Sequence, residues 1–154
     1  MSAPEMPEMP AIPRPALVLG LAGLIPFVWG AATVLDPALG AMVPPAFAGR
    51  AVLIGYGTVI LCFMSGVLWG FAAKGAEGAW RGYGASVAPA LWAFFMVTGP
   101  EARALSALLT GFFALLALDA QFALWRLVPR WWMRLRFLLT AGVAVCLGVG
   151  LWLG

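Results

Sequence analysis

Long charge-free stretches of apolar residues are the feature that most constrains how this chain can fold. A helix needs roughly 20 apolar residues, at about 1.5 Å of rise per residue, to cross the ~30 Å hydrocarbon core of a bilayer. Four blocks of about that length are bounded by charged residues or by the end of the sequence: residues 15–35, 51–73, 82–99 and 137–153. Only 10% of all residues are charged, against about a quarter in soluble domains. These blocks therefore predict membrane spans rather than a soluble core.

A fifth apolar block, residues 104–125, differs from the others because it contains Asp119 and Gln121. On membrane-insertion scales a central carboxylate costs about 2.5–3.5 kcal/mol, whereas each Leu or Phe contributes about 0.3–0.6 kcal/mol in favour of insertion. Leu, Phe and Ala dominate this block and outweigh its two polar residues. It is therefore predicted to be the fourth span in chain order, and the sequence predicts an all-α, polytopic bundle of five transmembrane helices.

The five spans predict one membrane domain, residues 14–154, preceded by a disordered tail. Residues 1–13 contain a repeated Glu-Met-Pro, and proline both removes backbone donors and favours extended geometry. Within the spans, Pro26 and Pro89 predict kinks rather than breaks, because neighbouring helices can satisfy the freed carbonyl groups. The third span is the shortest, and a re-entrant segment is the alternative to a full crossing there.

Basic residues are distributed unequally between the two sides that a five-span arrangement creates. Of the nine basic residues, one side has the seven at positions 14, 74, 81, 126, 130, 134 and 136. The other side has only Arg50 and Arg103. Loops on the cytoplasmic side of membrane proteins are enriched in Lys and Arg. The N-terminus is therefore predicted to lie inside and the C-terminus outside.

Histidine is absent from the sequence, and this excludes several kinds of chemistry. Histidine-ligated haem, the common zinc and copper sites and Ser-His-Asp catalysis all need imidazole side chains. The two cysteines lie in different apolar blocks, and no glycine-rich phosphate loop with a lysine is present. No basic stripe with interleaved aromatic residues indicates a nucleic-acid surface. We therefore expect no enzymatic activity, no cofactor, no metal and no nucleic-acid partner.

Asp119 is the one ionisable side chain that the sequence places inside the bilayer, and such a residue is a candidate functional site. A tight antiparallel hairpin around Pro129 brings Asp119 within reach of Arg136, and Arg126 lies two helical turns along the same helix. A structural ion pair that closes this hairpin is the main interpretation. Proton or substrate handling by Asp119 is the alternative, although a proton path usually needs several titratable groups in succession.

Basic and aromatic residues cluster where the fourth span meets the fifth. The cluster consists of Arg126, Arg130, Trp131, Trp132, Arg134 and Arg136. Basic residues near an anionic membrane surface contribute about 1 kcal/mol of attraction each, and Trp favours the interface. Contact with lipid headgroups is therefore predicted, although ordinary topology determination explains the same charges.

A G-x-x-x-G pattern in the second span consists of Gly66 and Gly70. Small residues at this spacing let two membrane helices approach each other closely. Packing inside the bundle is the main interpretation of this pattern, and dimerisation is the alternative.

Two segments resemble a known family of membrane proteins. The first segment, residues 55–70, reads GYGTVILCFMSGVLWG and is similar to the family's Tyr-Gly, Ile-Leu, Phe and Gly-x-x-Trp-Gly pattern. The second segment, residues 129–140, reads PRWWMRLRFLLT and is similar to the family's signature before the last helix. The family is the group of membrane proteins called domain of unknown function 3429. The resemblance implies a five-helix inner-membrane protein, found in bacteria and represented in mitochondria, and it implies no established activity.

The functional expectation combines these features. Short loops and few buried polar groups favour a non-catalytic helical subunit or assembly factor of a larger membrane complex. The family's range in bacteria and mitochondria favours, by analogy alone, an energy-transducing or respiratory complex. A small proton-coupled transporter that uses Asp119 is the alternative. The expected location is the bacterial inner membrane, as a multi-pass protein, with membrane lipid and other integral membrane subunits as partners.

Overall fold

All regular elements in the described part of the chain are helical, which confirms the predicted all-α class. The computed structural model describes residues 11–75 and 80–153, so most of the predicted disordered tail, residues 1–10, lies outside the described residues. In chain order the helices are α1 (Arg14–Ala22), α2 (Ile25–Leu35), α3 (Pro37–Gly40), α4 (Gly49–Lys74), α5 (Trp80–Met96), α6 (Glu101–Leu124) and α7 (Trp132–Trp152), with a 3₁₀ turn at Pro45–Phe47.

The first predicted span is divided into α1 and α2. The α-helix stops at Ala22, and Gly23 and Leu24 form a turn before α2 begins at Ile25. Pro26 therefore lies in the first turn of a new helix, where its missing N–H is not needed. The expectation of a kink at Pro26 is thus wrong in detail, because the helix is interrupted just before the proline.

Four helical segments are long and apolar enough to cross a bilayer: residues 14–35, α4, α6 and α7. The described part of α5 has 17 residues, or about 26 Å of helix, which falls short of the ~30 Å hydrocarbon core. It continues through Pro89 without interruption. It stays a prediction that this segment crosses the bilayer as a fifth span. The side on which each terminus lies also stays a prediction.

The core forms around α4, which packs against α2, α5 and α6, while α7 packs against both α2 and α6. Leu53, Leu61 and Leu68 lie on one face of α4 and are fully buried. Phe27 of α2 and Phe112 of α6 meet edge to face, with ring centroids 6.0 Å apart. The centre of the bundle is therefore packed with aliphatic and aromatic side chains.

Hydrogen bonds and close glycine contacts join neighbouring helices. Trp92 of α5 donates its indole N–H to the Ala107 carbonyl of α6 at 2.8 Å. The Ser65 hydroxyl of α4 donates to the Ser86 carbonyl of α5. A Cβ at Gly150 of α7 would lie 2.6 Å from a methyl group of Leu53, so a larger residue there would require the buried Leu53 side chain of α4 to shift. Such contacts are what hold membrane helices together where no water drives their association.

Arg50 connects three helices at the end of the bundle opposite the arginine cluster. It lies in the first turn of α4, donates from Nε to the Gly150 carbonyl of α7 at 2.7 Å, and places Nη1 3.7 Å from a carboxylate oxygen of Glu101 on α6. More than half of the Glu101 side chain is exposed, so this ion pair contributes little to stability. The Gly150 carbonyl lies in the last turn of α7, and carbonyl groups in that turn commonly need partners from outside the helix.

Candidate functional site

Asp119 lies on α6, about one and a half turns before the helix ends at Leu124, and it is fully buried. The residues around it in sequence are Leu, Ala and Phe, and α6 buries one face against α4, α5 and α7. An isolated carboxylate in such surroundings would lose its hydration without compensation. Its partners therefore decide what Asp119 can do.

Two side chains from α7 contact the Asp119 carboxylate, one on each oxygen. Arg136 donates from Nε to Oδ2 at 2.6 Å, and Trp132 donates from Nε1 to Oδ1 at 2.8 Å. Trp132 and Arg136 are four residues apart, so they lie on the same face of α7. The structure thus brings Asp119 and Arg136 together across the α6–α7 hairpin, and both members of the ion pair are nearly inaccessible, with side-chain exposures of 0% and 5%.

Electrostatics favour a fixed pair at this position. A charge-assisted hydrogen bond of this length is stronger than a neutral one, and the two formal charges cancel locally. Removal of one partner from such a pair is strongly destabilising, because the other charge remains buried. The described contacts give Asp119 no second titratable partner with which it could exchange a proton. The arrangement is therefore suited to holding two helices together.

Arg126 was predicted as a further partner of Asp119, and this prediction is wrong for the contacts that the structure describes. The α6 helix ends at Leu124, and Arg126 follows in a left-handed conformation with φ of 58°. The chain turns away from the helix axis at this point, so the Arg126 side chain is exposed instead of pointing back along α6. Among the described residues, the buried ion pair consists of Asp119 and Arg136.

The predicted headgroup cluster is divided by the fold into an exposed and a buried part. Arg126, Arg130 and Arg134 are exposed around the α6–α7 turn, and Trp131 is half-buried. Headgroup contact stays a prediction for these residues. Arg136 is buried, so the prediction of headgroup contact is wrong for Arg136. Trp132 bonds to Asp119 but is only half-buried, so headgroup contact stays a prediction for Trp132. The early start of α7 at Trp132, several residues before the predicted boundary, gives both side chains their inward position.

Gly66 and Gly70 do not mediate packing between helices of the described chain. A Cβ at either position would meet no atom within 4 Å, and both glycines are exposed. Their predicted role in packing inside the bundle is therefore wrong. The glycines that permit close approach lie elsewhere, at Gly30, Gly111 and Gly150.

Trp132 and Thr140 were not predicted as parts of an intramembrane site. The sequence predicts interface anchoring and headgroup contact for Trp132, although its spacing of four from Arg136 is a usable signal for a shared face. Thr140 lies one further turn along α7, and its hydroxyl is buried without a hydrogen-bond partner among the described residues. Nη2 of Arg136 is likewise buried without a hydrogen-bond partner among the described residues. The polar site therefore extends along one face of α7.

Replacing Trp132 by Phe is expected to lower the free energy of unfolding by about 1–2 kcal/mol. The substitution keeps a ring beside Phe71, whose centroid lies 4.9 Å from that of Trp132, but removes the N–H that bonds to the carboxylate. Thermal unfolding followed by circular dichroism measures the effect. Trp131→Phe is the matched control and should change stability by less than about 0.5 kcal/mol. Equal effects of the two substitutions would show that the bond to Asp119 is unimportant.

Comparisons with known proteins agree with this architecture. Residues 12–152 match the family model described as protein of unknown function (DUF3429). Transmembrane protein 69 of Xenopus tropicalis is 40% identical over 142 residues, which cover 90% of this chain and 53% of that relative. The chain thus spans about half the length of the curated relative that it matches. No solved structure matches the chain. The chain is therefore a multi-pass helical membrane protein, and it belongs to the DUF3429 family.

Proposed function

We propose that this protein is a non-catalytic helical subunit or assembly factor of a larger complex in the bacterial inner membrane. In this role it crosses the bilayer five times, with the N-terminus inside. The observation that carries the proposal is the outer face of α4. Gly55, Gly66 and Gly70 are exposed on this face, and a Cβ at any of them would meet nothing within 4 Å.

The spacing of these glycines suits a partner helix. Positions 55, 66 and 70 are separated by three turns and then one turn, so they lie along one side of α4, and Cys62 is exposed on the same side. Small residues on a lipid-facing side create a groove into which a second helix can pack closely. In a subunit of a larger complex, a helix of another protein occupies this groove. The opposite face of α4 is already used by the core of the bundle.

The buried ion pair supports the same role over a proton-coupled transporter. Both oxygens of Asp119 accept hydrogen bonds from α7, so both acceptor atoms of the carboxylate are engaged across the α6–α7 hairpin. A carrier needs a carboxylate that gains and loses its proton as the protein changes conformation. The hydrogen bonds that Arg136 and Trp132 donate to Asp119 therefore support a role in holding α6 and α7 together.

Replacing both Gly66 and Gly70 by Leu tests the proposal. We expect the isolated chain to keep its melting temperature within a few degrees, because the added side chains enter open space. Recovery of the larger complex in mild detergent, measured by native mass spectrometry, should fall at least tenfold, since bulky residues keep the partner helix away. Gly84→Leu on α5, where a Cβ also meets nothing within 4 Å, is the matched control and should leave the complex intact. Recovery of the natural chain only as a monomer under several gentle conditions would contradict the proposal.

The five-span arrangement has its own test. Reporter domains fused to each end of the chain should be found on opposite sides of the membrane, with the N-terminal one inside. Both reporters on one side would mean an even number of crossings and would contradict the five-span arrangement.

A further inference from the structure

A cavity of about 150 Å³ lies inside the bundle, between the interrupted first span, α4, α6 and α7. Apolar side chains such as Phe27, Met64 and Phe112 form most of its wall. Gly20 and Gly23 also line the cavity, beside the interruption between α1 and α2. Because these two residues have no side chains, part of the cavity volume is left unfilled there. A cavity of this volume with an apolar wall can hold a group about the size of benzene.

Two polar side chains on one face of α7 also line this cavity. Arg136 and Thr140 are one helical turn apart, with exposures of 4% and 3%. Nη2 of Arg136 and Oγ1 of Thr140 are buried and have no hydrogen-bond partner among the described residues. Arg136 already uses Nε to bind Asp119. Buried donors are rarely left unpaired in proteins, so each of these two atoms needs an acceptor from outside the described residues.

The charge of the site selects an uncharged acceptor. Asp119 neutralises the guanidinium of Arg136, so a second anion would bring an uncompensated negative charge close to the carboxylate. A carbonyl oxygen supplies an acceptor without that charge and can take hydrogen bonds from both Nη2 and the Thr140 hydroxyl. The apolar wall then fits the carbon atoms attached to the carbonyl group. Water molecules pair with the two polar atoms, but they do not fill the apolar part of the cavity, because apolar cavities of such a size stay dry.

The mouth of the cavity determines where such a ligand comes from. Leu19 of α1 and Phe63 of α4 line the cavity and are 72% and 64% exposed, on surfaces that face hydrocarbon in a membrane. A ligand dissolved in the bilayer can therefore enter sideways between these two helices.

We propose that this cavity binds the carbonyl-bearing part of a membrane lipid. The carbonyl oxygen accepts hydrogen bonds from Arg136 Nη2 and Thr140 Oγ1, and the adjoining ring or methylene groups fill the apolar space. Two classes of lipid present this chemistry: quinones, through a ring carbonyl, and acyl glycerolipids, through an ester carbonyl. The proposal rests on the lining of the cavity and needs no partner helix on α4, so it does not depend on the proposed function.

The proposal is tested on the chain purified in mild detergent, by adding two pairs of probe molecules. Decylubiquinone is compared with decylbenzene, which lacks its carbonyl, methoxy and ring methyl groups, and mono-olein with the corresponding glycerol ether, which lacks only the ester carbonyl. Melting is followed by far-UV circular dichroism. At a concentration about 100 times the dissociation constant, a bound carbonyl probe should raise the melting temperature by roughly 5–10 °C. The carbonyl-free probes should give a smaller rise.

Thr140→Val keeps the size of the side chain and removes the hydroxyl. It should weaken binding of the carbonyl probe about fivefold, the effect of one neutral hydrogen bond, and leave the carbonyl-free probe unaffected. Thr58→Val is the control, because the Thr58 hydroxyl bonds to the Ile54 carbonyl of its own helix and Thr58 does not line the cavity.

The outcomes separate the lipid sources and include two that overturn the proposal. A carbonyl-specific shift with decylubiquinone that Thr140→Val reduces assigns the site to a quinone ring, and the same result with mono-olein assigns it to an acyl ester. Equal shifts within each pair would mean that the cavity binds apolar groups without using Arg136 and Thr140. No shift with any probe would mean that it holds only water. Each of these last two results would overturn the proposal.

Discussion

Replacing Asp119 by Asn is expected to lower the free energy of unfolding by about 3–5 kcal/mol. The amide keeps an acceptor for Trp132 but removes the negative charge, so the Arg136 guanidinium remains buried without compensation. The melting temperature in detergent should fall by on the order of 10 °C. Circular dichroism or differential scanning fluorimetry of the purified chain measures this change.

Glu101→Gln is the matched control for that substitution. Glu101 also contacts an arginine, at 3.7 Å, but its side chain is 57% exposed, so its loss should cost less than about 1 kcal/mol. A melting temperature of Asp119→Asn equal to that of Glu101→Gln would mean that the buried pair does not stabilise the hairpin.

Replacing Gly111 by Leu is expected to cost about 3 kcal/mol, at the upper end of the range for overpacked cores. A Cβ at Gly111 of α6 would lie 2.8 Å from a methyl group of Leu61 and 2.9 Å from the Trp92 ring. The indole would have to move, and its hydrogen bond to Ala107 would be strained or lost. Thermal unfolding of the isolated chain measures the effect.

Gly66→Leu is the control for this prediction, since a Cβ at Gly66 meets nothing within 4 Å. Both substitutions replace a helical glycine by a better helix former, so the propensity gain of about 0.8 kcal/mol is the same and cancels. The difference between the two variants therefore reports packing alone. An isolated Gly66→Leu chain as unstable as Gly111→Leu would contradict the placement of α4 in the bundle.

Most of the helical architecture could be predicted from the sequence because its signal is local. Charge-free blocks of sufficient length define α4, α6 and α7 within a few residues at most boundaries. Asp119 could be singled out for the same reason, as an acid among apolar residues. The tight turn around Pro129 then made Arg136 its expected partner, and the structure places their side chains 2.6 Å apart.

The details that depend on three-dimensional packing could not be predicted in the same way. The G-x-x-x-G pattern at Gly66 and Gly70 has the spacing of a packing motif, yet α4 turns that side outward. Gly111 belongs to no G-x-x-x-G pattern, whereas Gly150 begins another one at residues 150–154, and both lie at close approaches between helices. Which face of a uniformly apolar helix is buried depends on its neighbours, because hydrophobicity is nearly equal all round.

The break at Gly23 and Leu24 was missed for a related reason. The surrounding block is apolar throughout, so composition does not distinguish one long helix from two shorter ones. Gly23 and Pro26 together were the available signal, since glycine tolerates a helix end and proline begins the next helix readily. This interruption also creates the room that the internal cavity occupies.

The most direct measurement of the proposed role replaces both members of the buried pair at once, in the variant Asp119→Leu, Arg136→Leu. Exchange of a complete buried pair for apolar residues leaves no charge uncompensated and is often neutral or stabilising. If the pair only joins two helices, this variant should melt at or above the temperature of Asp119→Asn and be recovered in the same membrane complex as the natural chain. A folded double variant that has lost a proton-coupled flux catalysed by the natural chain in proteoliposomes would contradict that role.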